Sequence, residues 1–180
     1  MGIRKALAYS KRKVTAYTRK SMKVKNKNYI KAVPNQKVTK FNMGNTKKYT
    51  RGEFKNFMTM YSLINCQIRD MALESARQFL NNQIQKKLVD NYYLACKKYP
   101  HQVIRENKVF SGGSKGERVG TGMSMSFGTT VYRSAYVRVG EPIFVVGFQN
   151  KKDIEFIRGL CKSVASKLPC KIRVVYEEVK

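Results

Sequence analysis

A chain of 180 residues with 42% hydrophobic side chains can bury a core, which excludes a wholly disordered polymer. Its 37 Lys and Arg face 11 Asp and Glu, a formal charge of +26, and that surplus repels itself until a polyanion cancels it. Nucleic acid is the polyanion expected, because neutralised phosphates release condensed counterions. A membrane partner is not expected, since the cations are scattered over loops, strands and helices and do not line one amphipathic face.

The first fifty-two residues hold sixteen of the cations and no acid, and the first carboxylate is Glu53. Residues 1–33 show no sustained period and read as a basic RNA-binding extension. Tyr9, Tyr17, Tyr29 and Val33 are threaded among the cations. Rings suit stacking on bases while cations meet phosphates, so an extension ordered by RNA is expected over a solvated tail. Residues 34–180 read as one α+β domain. Pro34-Asn35 makes a turn, Lys37–Asn42 alternates as a short strand, and Met43–Lys48 with Gly44-Asn45 is a loop. Phe54–Asn65 reads as a long strand.

A helix is expected from Cys66 or Gln67 to about Gln85, with Ile68, Met71, Ala72, Ala76, Phe79 and Leu80 at helical spacing. Tyr92–Lys98 and Gln102–Lys108 are strands on either side of Pro100. Phe110–Gly122 contains five glycines and almost nothing to bury, and it reads as a flexible loop. Met123–Phe127, Val131–Val139 and Ile143–Phe148 follow as strands. A second helix spans about Lys152–Lys167, with Asp153 and Glu155 in its first turn and Lys167 in its last, as the helix dipole favours. Pro169 stops it, and Lys171–Tyr176 closes the fold as a strand. Two helices against a mostly antiparallel sheet make an α+β domain.

Catalytic machinery is hard to assemble from these residues, and an enzyme is not expected. His101 is the one histidine, and in its corner beside Pro100 it reads as an RNA contact or a satisfied turn residue. Cys66, Cys96, Cys161 and Cys170 lie far apart with no C-x-x-C pair, so they read as core residues, with neither zinc nor disulfide expected. Glu177 and Glu178 point to opposite faces of a strand, which is wrong for shared acid–base work. The segment Ser111–Gly116 lacks the Lys-Ser or Lys-Thr of a phosphate loop, and no cofactor is expected. Met1-Gly2-Ile3-Arg4-Lys5 is not followed by an apolar stretch, and the longest apolar run is Ile143–Phe148, so a cytoplasmic protein is expected.

Several blocks in one order resemble a known family. They are Tyr17–Lys20, Val33-Pro34, Lys40–Asn45, Gln67–Arg69 leading into Ala72–Arg77, and Tyr99–Lys108. The glycine loop, Gly122-Met123, Phe127-Gly128, Gly140 and Ile143-Phe144 complete the set. Together they are similar to the large-subunit ribosomal proteins called L sixteen in bacteria and L ten e in archaea and eukaryotes, most of all to the archaeal branch. The resemblance implies an α/β-hammerhead type of fold and a place on large-subunit rRNA beside the aminoacyl-tRNA site, among neighbouring ribosomal proteins. It also implies that the loop 110–122, with Gly112, Gly113, Lys115 and Arg118, approaches tRNA, and that the protein supports tRNA accommodation and late subunit assembly. Ser124, Thr129, Tyr132 and Tyr136 depart from the residues usual in the family. The side chains expected on RNA are Arg4, Lys5, Lys11, Arg12, Lys13, Tyr17, Arg19 and Lys20, then Arg69, His101, Arg105 and Lys108. The rival reading is an architectural nucleic-acid-binding protein outside the ribosome.

Overall fold

The computed structural model describes residues 6, 30, 32–106 and 129–179. In chain order the elements are β1 (Asn42–Gly44), α1 (Thr46–Thr50), β2 (Asn56–Ser62), β3 (Cys66–Arg69) and α2 (Asp70–Leu88). Then come β4 (Tyr92–Cys96), β5 (Gln102–Glu106), β6 (Thr129–Val137), β7 (Pro142–Phe148), α3 (Ile154–Val164) and β8 (Ile172–Glu178). Single 3₁₀ turns flank α3 at Lys151–Asp153 and Ala165–Lys167. Five strands form one sheet in the order β1-β4-β7-β2-β8, and three form a second in the order β3-β6-β5. Every pairing is antiparallel, so the α+β expectation holds.

Alternation decides which face of the large sheet is buried. Met58 and Met60 of β2, Leu94 of β4, and Phe144, Val146 and Phe148 of β7 share one face and are fully buried or nearly so. The register sets Met58 opposite Val146 and Leu94 opposite the same Val146, so three strands deliver apolar side chains at one level. Ala72, Leu73, Ala76, Leu80 and Ile84 of α2 cover that face, with Ile157, Cys161 and Val164 of α3. Each large apolar side chain so buried is worth about 1.5–3 kcal/mol. On the opposite face Phe54, Tyr93 and Ala95 form a smaller cluster with Phe57. Tyr49 of α1 stacks on Tyr93 there, centroids 3.9 Å apart and planes 9° from parallel.

Three elements differ from the sequence expectation. Lys37–Phe41 is not a strand: Lys37 and Thr39 donate their N–H groups to carboxylates of α2, and the pairing with β4 begins only where the Phe41 carbonyl accepts from Cys96 N at 2.7 Å. The strand is only Asn42–Gly44, and the expected loop after it contains α1, whose first turn is capped by Asn45 Oδ1 accepting from Lys48 N at 2.9 Å. Cys66–Arg69 is a strand of the small sheet and not the first turn of α2. Ile68 satisfies both periods, and the helix begins where the Asp70 carboxylate can accept the Met71 N–H at 2.8 Å. The expected strand Met123–Phe127 lies outside the described residues.

Candidate RNA-binding surface

The chain enters the domain as a strap over α2. Arg133 Nε donates to the Pro34 carbonyl at 2.6 Å. Lys37 N donates to Asp70 Oδ2 at 3.2 Å, and Thr39 N and Oγ1 both donate to the Glu74 carboxylate at 3.4 Å. Arg77 holds Glu74 with two bonds, Nε to Oε2 at 2.8 Å and Nη2 to Oε1 at 2.5 Å. Such a fork keeps Glu74 below the usual carboxylate range, the Arg77 hydrogen bonds contributing most. Burial pushes the Asp70 carboxyl the other way, up. Two acids are therefore used on backbone, which leaves Lys37 and Lys40 of the strap exposed.

Beyond the strap, β1 turns sharply into α1. Gly44 has φ +78°, and a Cβ there would stand 2.3 Å from the Tyr92 carbonyl oxygen, so only glycine fits. Asn45 N donates to that same oxygen at 2.8 Å. The turn leaves a cleft of about 730 Å³ between β1, α1 and α2, with Lys40, Asn42, Asn45, Lys47, Asn81 and Gln85 among its walls. Amides supply both donors and acceptors and the lysines supply charge, a combination suited to base edges and phosphate.

The small sheet carries the expected residues that fall within the described chain. Arg69 ends β3, and it is 3% exposed with its guanidinium 5.2 Å from the ring centroid of Tyr132. The side chain is held within the sheet by this cation–π contact. His101 is half-buried just ahead of β5. Its Nδ1 lies 2.9 Å from the Tyr99 carbonyl oxygen, and its ring meets Tyr136 edge-on at 5.6 Å. Arg105 is half-buried where the β5–β6 register shifts after Ile104. The structure thus brings Arg69, His101 and Arg105 onto one sheet together with Tyr132 and Tyr136. Arg4, Lys5, Lys11, Arg12, Lys13, Tyr17, Arg19, Lys20, Lys108, Gly112, Gly113, Lys115 and Arg118 lie outside the described residues.

Ion pairs sort the remaining cations. Arg51, Arg77, Lys87, Lys98 and Lys151 each pair with an acid. Lys40, Lys47, Lys55, Lys86, Lys152, Arg158, Lys162 and Lys171 are exposed and have no ion pair among the described residues. They are available to an anionic partner. All four cysteines are buried, and burial raises the Cys96 thiol to about 11 and that of Cys161 to about 12, so neither is a nucleophile near neutrality. Among the described residues no cluster of His, Cys, Asp and Glu could hold a metal ion, and no helix is long and apolar enough to cross a membrane.

The family model described as ribosomal protein L16p/L10e matches residues 13–175. The chain belongs to that family. Among its relatives is the large ribosomal subunit protein uL16 of Methanospirillum hungatei, 36% identical over 163 residues, 90% of this chain and 88% of the relative. The uL16 of Pyrobaculum calidifontis is 34% identical over 178 residues, 98% of this chain and 95% of the relative. That of Picrophilus torridus is 35% identical over 161 residues, 89% and 84% of the two chains. The L16p/L10e family is one of ribosomal, structural proteins, so this chain is a component of the large subunit and of the translation machinery in the cytoplasm.

Proposed function

We propose that the chain binds large-subunit rRNA beside the aminoacyl-tRNA site and supports tRNA accommodation and the late steps of subunit assembly. The single observation that carries this reading is the family match over residues 13–175 in a chain whose first fifty-two residues are cationic without an acid. The domain docks through Lys37 of the strap and through the cleft that Lys40 and Lys47 border, with Arg105 and His101 at the small sheet. The extension 1–33 runs along RNA, with Arg4, Lys5, Lys11, Arg12, Lys13, Arg19 and Lys20 at phosphates and Tyr17 against a base. Lys108 follows Arg105 onto the same RNA. Ordering each residue costs about 1–2 kcal/mol, so the extension is fixed only where RNA contacts offset that cost.

Loop 110–122 is the part that approaches tRNA, through the Gly112-Gly113 backbone and the charges of Lys115 and Arg118. Replacing Lys115 and Arg118 by Ala should leave the domain folded and incorporated while slowing tRNA accommodation or final maturation. Subunits carrying both changes that translate at the normal rate would reduce the loop to a connector.

A further inference from the structure

β8 closes the large sheet at one end, and among the described residues its sole neighbour is β2. Ladder parity shows what that edge presents. Leu63 N donates to Lys171 O at 3.0 Å and Val179 N to Lys55 O at 2.8 Å. Counting inward by twos through the register, Arg173, Val175 and Glu177 direct their peptide groups toward β2. The N–H and C=O groups of Ile172, Val174 and Tyr176 therefore point away from the sheet. Beside this edge runs a groove of about 420 Å³ between β8 and α3, floored by Leu63, Ile172 and Val174 and rimmed by Arg158, Lys162 and Lys171. Leu63 is 46% exposed, unusual for a leucine with so much apolar company.

We propose that this edge and groove receive an extended segment of another protein in which carboxylates are interspersed with aliphatic side chains. Strand addition would satisfy the outward peptide groups, apolar side chains would cover Leu63 and Val174, and carboxylates would meet the three rim cations. Charge selects this occupant. The chain's own first fifty-two residues hold no acid, and residues 107–128 hold Lys108, Lys115 and Arg118 against Glu117 alone, so either segment would add cations to a cationic rim. A second copy brings another +26. RNA would meet the rim but would leave an apolar floor and a row of peptide groups uncovered.

The test is amide hydrogen exchange on the full chain with a seven-residue peptide, the length of β8, in which Asp alternates with Val and Ile. Protection of the Ile172, Val174 and Tyr176 amides by that peptide is expected, and an oligouridylate should not protect them. Leu63→Glu, at an exposed position, should weaken peptide binding about tenfold or more and leave rRNA binding unchanged, and Lys162→Glu on the rim should weaken peptide binding as well. The proposal is overturned if these amides are already protected in the free chain, if oligouridylate protects them, or if the peptide leaves them exchanging freely. Because rRNA binding is read separately, either result leaves the rRNA reading to stand or fall by itself.

Discussion

Arg77 distributes its donors over Glu74, Thr39 and the Met43 sulfur, and so ties α2, the strap and β1 to one side chain. Both members of its ion pair are mostly buried, with side chains 10% and 13% exposed. Arg77→Ala should therefore cost about 3 kcal/mol at neutral pH, the penalty of leaving a buried charge without its partner. The sign of the pH dependence follows from Glu74. Its carboxyl titrates below its ordinary value in the fold, so its stabilisation is full above the unfolded value and fades as pH falls through the folded one. Denaturant melts at pH about 7 and about 3 should show the Arg77→Ala penalty shrinking in acid. An equal penalty at both would contradict the pairing. At this scale the sequence shows Arg69 as a cation, and only the cross-strand neighbour Tyr132, sixty-three positions away, shows why it is buried. Tyr132 and Tyr136 registered only as departures from the family, since a ring's partner is set by register and not by spacing.

Two backbone positions test the turns between elements. Gly44 and Gly52 share a positive φ, +78° and +75°, yet only Gly44 faces backbone, with nothing within 4 Å of a Cβ at Gly52. Alanine at Gly52 should cost about 1 kcal/mol for the left-handed conformation alone, and at Gly44 clearly more, because the Tyr92 carbonyl must move. Equal losses in thermal melts would refute the close approach of β1 and β4. At the end of α2 the opposite substitution should help. Val89 sits at φ 48° and is 63% exposed, a strained backbone for a β-branched residue that packs little. Val89→Gly should raise stability by about 1 kcal/mol, strain relief outweighing the entropy of glycine; a loss would show that the strain is absent. Element type was largely legible: α3, β4, β7 and β8 stand near their expected bounds because their apolar period is unambiguous. The boundaries at β3 and the strap were not, because their backbones are satisfied by β6 and by the acids of α2, contacts no local window contains.

For the molecule as a whole, the two sheets and two long helices provide a scaffold whose acids are largely engaged at home. Lys98 pairs with Glu141, Lys151 with Glu178 and Lys87 with Asp153, while the exposed Lys37 and Lys40 of the strap and Lys47 of α1 remain free for phosphate. The charge and the order of blocks along the chain were enough to place it among ribosomal proteins; where each cation stands on the surface required the fold. The central claim is that this surplus exists to be neutralised by rRNA, and a salt titration of the full chain on a large-subunit rRNA fragment tests it most directly. With about 6–10 phosphates engaged, affinity should fall about 10³–10⁵-fold between about 50 and 200 mM salt; a nearly flat response would contradict it.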